Sequence, residues 1–254
     1  MTPVEPEPAA SVLLVRSAPD GVAGPIEVYM IRRQRGMRFL GGYYAFPGGK
    51  VDAADATETA FARCRGISPA EAARLIPPLD GLDPLAFWVS AARELLEETG
   101  LLVACEADGR PVETQDRSVV ERVERLREAL SAGEAPLATL LERERWYLDL
   151  GAFRYLSHFI TSPSSPIRFT ARFFLAPVPA GQEVRLFGGE ASEGFWIEPA
   201  EGYSRFRGGE MPMAEPAYSG LAYLTEFESL HALWVAHADG RHKIHGINDR
   251  IRPA

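Results

Sequence analysis

The sequence predicts an α/β protein, on three observations. Residues 11–16 (SVLLVR), 26–32 (IEVYMIR) and 167–176 (IRFTARFFLA) are rich in the β-branched and aromatic types that fit a pleated surface. Residues 83–101 (DPLAFWVSAARELLEETGL) carry apolar positions at helical spacing between two marked ends. Residues 118–130 (SVVERVERLREAL) repeat an amphipathic helical pattern, so helices and strands are interspersed along the chain. A length of 254 residues with 46% hydrophobic content allows one large or two small domains with a sizeable core. The reading taken is a tail over 1–10 followed by a single domain over 11–254.

In chain order, residues 1–10 (MTPVEPEPAA) are proline-rich and expected to be disordered. The runs at 11–16 and 26–32 form a hairpin about the turn-rich PDGVAG. Residues 41–45 lead, as a short third strand, into 46–55 (FPGGKVDAAD). There Gly48 and Gly49 follow Pro47 in a tight turn that lets the backbone approach a ligand, and a carbonyl in it can complete a metal site. Arg32, Arg33, Arg35 and Arg38 precede this turn. They read either as a solvated strand end or as guanidiniums that grip phosphate bidentately. Between 56 and 82, Ser68-Pro69-Ala70-Glu71 is a capped helix start, and two short helices are expected. A lid, a dimer surface and a decorative excursion all stay open for them.

The helix over 83–101 has Asp83 as N-cap, Pro84 as first helical residue and Gly100 as its left-handed stop. Trp88, Val89, Ala92, Leu95 and Leu96 gather on one side; Glu94, Glu97 and Glu98 fall on the other within roughly 100° of arc. Like charges at this spacing repel. Arg93 can pair with Glu97 but does not neutralise three carboxylates, whereas Mg²⁺ or Mn²⁺ would, since both favour hard oxygen ligands and substrate phosphate. The plain alternative is a solvated acidic face.

Taken together, the glycine turn and this helix resemble the signature of the Nudix hydrolases. That signature runs glycine, five residues, glutamate, seven residues, then Arg-Glu-aliphatic-any-Glu-Glu-any-Gly-aliphatic. Gly49 opens it, and Arg93, Glu94, Leu95, Glu97, Glu98, Gly100 and Leu101 match its second half position by position. Asp55 stands where the family has its first glutamate. Residues 56–92 number 37 where the signature has seven, so about 30 are inserted; closure entropy grows slowly with loop length, and turn and helix can still meet.

The split layout is similar to that of the peroxisomal coenzyme A diphosphatases of animals. Of their upstream pattern, Arg33, Arg38 and Gly42 match, while Met30, Ile31 and Gln34 depart from it; Asp52 agrees with that group. The resemblance implies a Nudix α/β/α sandwich, a mixed β-sheet between helices, with helical insertions. It implies Mg²⁺ or Mn²⁺ held by Glu94, Glu97 and Glu98 with a carbonyl of Gly49, Arg93 orienting the carboxylates, and Arg33, Arg38 and Gly48 facing substrate. In the family a glutamate ahead of a tryptophan-containing strand often acts as general base; Glu193, and after it Glu190, precede Trp196. In other members a signature glutamate, here Glu97 or Glu98, performs that step.

Past the signature, residues 101–104 are expected to be a strand and Cys105 a small buried hydrophobe. Residues 118–130 and 135–148 read as helices, a second elaboration over about 115–148. Strand character follows over 149–160 and 167–176, with the loop TSPSSP between them near the substrate if the family fold holds. A closing helix is expected over 216–233, with His231 and His237 structural or exposed; HADGRHKIH lacks a zinc spacing.

With 27 basic and 35 acidic residues the net charge is −8, which argues against a general nucleic-acid binder. Two cysteines give no disulfide framework, and the absence of a long apolar run or charged leader points to a cytoplasmic protein without membrane attachment. The expected activity is metal-dependent hydrolysis of a diphosphate linkage in a small nucleotide substrate. Coenzyme A or an acyl-coenzyme A leads, giving 3′,5′-ADP and (acyl-)4′-phosphopantetheine; ADP-ribose or NADH is the enzymatic alternative. A nucleotide-binding regulatory domain without turnover is the alternative of another class.

Overall fold

A computed structural model describes residues 4–18, 25–77, 81–187 and 189–237. In chain order its elements are β1 (Glu7–Ser17), β2 (Ile26–Arg33), β3 (Tyr44–Ala45), β4 (Gly48–Lys50), α1 (Glu58–Ala62), β5 (Cys64–Arg65), α2 (Pro69–Leu75), α3 (Leu85–Thr99) and β6 (Ala104–Cys105). There follow α4 (Arg117–Ser131), α5 (Leu137–Glu144), β7 (Tyr147–Asp149), β8 (Arg154–Ile160), β9 (Phe169–Pro177), β10 (Ala191–Ile197), α6 (Pro199–Arg207), α7 (Glu215–Leu224) and α8 (Leu230–Ala236). Helices and strands alternate as an α/β chain should. The expected turn PDGVAG, and all of HADGRHKIH after His237, lie outside the described residues.

By contacts the chain divides into two compact units, 1–47 with 154–177 and 188–254, and 48–153 with 178–187. The first is built on a sheet in the order β10-β2-β1-β9-β8, with β3 beside β2. β1 and β2 pair antiparallel from Val15 opposite Val28, while β1 and β9 run parallel over nine positions. Alternate residues of these strands, Leu13 and Val15, Val28 and Met30, Phe173 and Leu175, enter one apolar cluster with Phe46, Met211, Met213, Leu221 and Leu233. Val12 and Leu14 are equally buried, so β1 reads as a continuous apolar run rather than an alternating one.

Four sequence expectations change here. The N-terminal tail was expected to be disordered to residue 10, but β1 already begins at Glu7. Its N–H bonds the Arg168 carbonyl, and the ladder turns the nitrogen of Pro8 away from β9, where its missing proton costs nothing. The strand expected over 149–160 is interrupted by a 3₁₀ turn at Leu150–Ala152. The closing helix is two helices, α7 and α8, the second restarted by Ser229, whose hydroxyl accepts from Ala232 N–H. Within it His231 is exposed, and His237 is buried between Tyr223 Oη and the Leu233 carbonyl, a structural role. The fourth change concerns 135–148: α5 ends at Glu144, Arg145 turns left-handed, and Tyr147–Asp149 becomes a strand because β5 and β6 both offer it backbone partners.

In the second unit α3 packs against β4, α1, α2 and α4, and α4 against α5. Two short helices, α1 and α2, occupy the inserted stretch as expected, with the capping box at Ser68 and Glu71 formed. Residues 101–104, expected as a strand, pair only at Ala104. Leu102 is instead held by the Gln182 side chain, whose carbonyl accepts from Leu102 N–H and whose amide donates to Leu102 O, both at 2.8 Å. Buried main chain needs a partner, and a side chain supplies it here. Cys105 is buried, and burial pushes its thiol up, as a core residue rather than a nucleophile requires.

Candidate active site

The site is organised by α3. Asp83 Oδ1 accepts from Leu85 N–H at 2.8 Å and Gly100 closes the helix at φ 72°, so both ends fall where the sequence marks them. From Leu85 to Ala92 the helix is buried on every side, not on one face only as its amphipathic pattern suggested. Its polar character begins at Arg93. Glu94, Glu97 and Glu98 are only partly exposed, so the acidic patch is not a solvated face.

Arg93 is the hub. Its Nε donates to Asp55 Oδ1 at 3.0 Å and its Nη2 to Asp55 Oδ2 at 3.0 Å. Nη1 donates to Glu94 Oε1 at 2.8 Å and to Glu97 Oε2 at 2.7 Å, and Nη2 also reaches the Lys50 carbonyl at 2.7 Å. Burial works against its charge, and these carboxylates outweigh burial to keep the guanidinium ionised. Asp55 is 2% exposed; burial pushes its carboxyl up, opposed by the Arg93 hydrogen bonds and by the Asp52 N–H it accepts at 2.9 Å. The glycine turn packs on the same helix. Gly48 N–H donates to Glu98 Oε2 at 2.9 Å, and Ser90 Oγ donates to the Lys50 carbonyl at 3.1 Å.

A side chain at Gly49 would displace the Glu94 carboxylate. A Cβ there would lie 2.5 Å from Glu94 Cδ and 2.7 Å from its Oε2, well inside contact distance. Glu94 is thus pressed onto bare backbone, and burial pushes its carboxyl up to about 7.

A hard divalent cation fits this donor set in kind: three carboxylates on two turns of one helix, all oxygen, with a buried Glu94 whose charge lacks compensation beyond Arg93. Among the described residues no three ligating side chains converge as they stand. The reason is visible in the hydrogen bonds, since Arg93 Nη1 takes one oxygen each of Glu94 and Glu97 and Gly48 takes one of Glu98.

In the first unit, Glu193 sits on β10 beside a bulge between Ala191 and Glu193, paired in register with Arg32. Its Oε1 accepts from Tyr44 Oη at 3.2 Å and Arg32 Nη1 at 3.3 Å, and Arg32 lies over the Tyr44 ring at 5.2 Å. Glu190 has its carbonyl bound by Gln34 N–H. Arg33 Nε donates to the Phe39 carbonyl at 3.3 Å and braces the 34–41 loop, while Arg38 is exposed. Sequence reasoning missed three contributors: Ser90 and the Lys50 carbonyl around Arg93, and Tyr44 beside Glu193. Their roles arise from contacts 40 or more positions distant, which no local pattern signals.

No family model matches the chain. The acyl-coenzyme A diphosphatase NUDT19 of Gallus gallus is 28% identical over 270 residues, covering 89% of this chain and 69% of that protein. A solved NUDIX hydrolase from Alicyclobacillus acidocaldarius superposes with a TM-score of 0.72 at 29% identity, covering 95% of this chain and 98% of that one. Fold and relatives together place the chain beside the Nudix hydrolases, with an α/β architecture similar to theirs. Within that class it resembles the coenzyme A diphosphatases. No helix among the described residues is long and apolar enough to cross a membrane.

Proposed function

We propose that the protein hydrolyses the diphosphate linkage of coenzyme A or an acyl-coenzyme A, with Mg²⁺ or Mn²⁺, releasing 3′,5′-ADP and (acyl-)4′-phosphopantetheine. The observation that carries the reading is Arg93 joining Asp55, from before the inserted residues, to Glu94 and Glu97 after them. The interrupted signature is thereby one structural unit. The coenzyme A preference rests on the avian relative and on the match of Arg33, Arg38 and Gly42 to the upstream pattern.

Glu94, Glu97 and Glu98, with a carbonyl of the Gly49 turn, would hold the cation, which when bound supplies charge neutralisation at the diphosphate and lowers the pKa of water. Arg93 fixes the rotamers of Glu94 and Glu97 through one oxygen each, and the Gly48 N–H fixes Glu98. Such pre-positioning limits the ordering that binding would otherwise require. A carboxylate must take the proton from the attacking water, and Glu193 is assigned this role, with Tyr44 and Arg32 setting its orientation. No covalent enzyme intermediate is needed.

The test is product chromatography after incubation with Mg²⁺ and separately Mn²⁺ against coenzyme A, an acyl-coenzyme A, ADP-ribose and NADH. Release of 4′-phosphopantetheine and 3′,5′-ADP is expected. Cleavage of ADP-ribose or NADH alone would overturn the substrate assignment, and ligand binding without cleavage of any would make the protein a nucleotide-binding regulator.

A further inference from the structure

In the buried run of α3 from Leu85 to Ala92 the one hydroxyl belongs to Ser90, which is 0% exposed. Serine is a poorer helix former than the alanines beside it, and a buried hydroxyl needs a partner. Inside a helix that partner is commonly the carbonyl four residues back. Ser90 reaches across to β4 instead. Its Oγ donates to the Lys50 carbonyl at 3.1 Å and accepts from Arg93 Nη2 at 3.4 Å. Arg93 Nη2 donates to the same carbonyl at 2.7 Å, so the three groups close a triangle on the last residue of β4.

β4 follows one ridge of α3, the row of every fourth residue, in the opposite chain direction. Lys50 meets Ser90, Gly49 meets Glu94, and Gly48 meets Glu98. The outer two contacts are hydrogen bonds to main-chain atoms of the turn, and the middle one is a close approach that only a glycine allows. The Gly49 carbonyl thus lies between two anchors on α3, Glu98 at the Gly48 N–H and Ser90 at the Lys50 carbonyl.

The two groups that hold the Lys50 carbonyl differ in kind. Arg93 is charged, and its Nη1 is held by oxygens of Glu94 and Glu97. A cation taken by those glutamates competes for the same oxygens, so the grip of Arg93 on the turn changes when the cation arrives. Ser90 is neutral, and its hydrogen bonds go to no carboxylate. Its hold on the turn is therefore the same whether the carboxylates bind Arg93 or a metal.

We propose, on the reading that Glu94, Glu97 and Glu98 hold a divalent cation with the Gly49 carbonyl, that Ser90 is a positioning residue for that cation. Through the Lys50 carbonyl its hydroxyl sets the glycine turn against α3. The test takes the full chain and measures Mn²⁺ affinity by electron paramagnetic resonance without substrate, together with amide hydrogen exchange of Gly48 in the metal-free protein. Ser90→Ala is expected to weaken Mn²⁺ binding about tenfold or more, as loss of a support behind metal ligands does, and to speed Gly48 exchange. Ser90→Cys keeps the shape and donates only weakly; it should behave as Ser90→Ala does and covers the case in which that variant does not fold. Val89→Ala, which removes core contacts at the preceding buried residue, should lower the unfolding midpoint and leave Mn²⁺ affinity unchanged. Parent Mn²⁺ affinity or parent Gly48 exchange in a folded Ser90 variant would overturn the assignment of Ser90 while leaving cation binding by α3 intact. An equal loss of affinity in Val89→Ala would overturn it too, since helix stability alone would then account for the effect. A parent protein that binds no Mn²⁺ would overturn the cation reading and the role of Ser90 with it.

Discussion

Arg93 and Asp55 stand 38 positions apart in sequence and meet as a buried ion pair, Asp55 taking hydrogen bonds from both Nε and Nη2 of Arg93. The side chains are 8% and 3% exposed, so neither charge is hydrated in compensation if the other is removed. Asp55→Ala should therefore destabilise the second unit by about 3–5 kcal/mol, the usual cost of stranding one member of a buried pair. Urea unfolding checks this; a midpoint within error of the parent would mean the pair is not buried in solution.

Gly49→Ala places a methyl where the Glu94 carboxylate now lies. Glu94 must rotate away from Arg93 Nη1, which disturbs a predicted cation ligand without altering its chemistry. Mn²⁺ affinity, read by electron paramagnetic resonance, should fall about 10–100-fold, the range seen when the supports of metal ligands are changed. Retained affinity would show that Glu94 is not a ligand.

Glu97→Gln and Glu98→Gln keep size and remove charge. Each should lower turnover by roughly 10³-fold, corresponding to about 4 kcal/mol of lost transition-state stabilisation, with circular dichroism unchanged. Parent rates in both variants would refute the assignment of cation binding to α3.

The Glu94 carboxyl is pushed from its usual 4.5 up to about 7, first of all by burial. A raised acid pKa means the folded state holds a proton that the unfolded state has released. Its contribution to stability is thus full below about pH 4.5 and is lost as pH rises through about 7. Cation binding needs the ionised form, so Mn²⁺ affinity should rise between pH 6 and 8 and binding should release protons. Calorimetry in two buffers of different ionisation enthalpy measures that release, and Glu94→Gln should abolish it.

Glu193→Gln should reduce kcat by about 10²–10⁴-fold with KM little changed if Glu193 is the general base. Tyr44→Phe, which removes one hydrogen bond to Glu193 and leaves Arg32 in place, should leave most of the rate. A rate within twofold of the parent for Glu193→Gln would return the base role to a glutamate of α3.

Much of this was legible because it is local. The ends of α3 follow from Asp83 and Gly100, and Arg93 to Glu97 is a contact between adjacent turns. The start of α2 announces itself through Ser68, Pro69 and Glu71. What failed depended on distant partners. Glu7 to Ala10 look like a disordered prolyl tail until β9 supplies a parallel edge; Leu102 looks like a strand residue until Gln182 occupies its backbone.

The sequence alone determined that three glutamates and an arginine share one stretch of helix, because helical periodicity is a property of neighbouring residues. It also determined the glycine turn before them, because proline and two adjacent glycines restrict and free the backbone locally. Only the tertiary structure decided that Asp55 reaches Arg93 across the inserted residues and that Gly49 lies bare against Glu94. These contacts are set by where the chain returns to itself, and that depends on burial and hydrogen-bond demands summed over whole units rather than on any one segment.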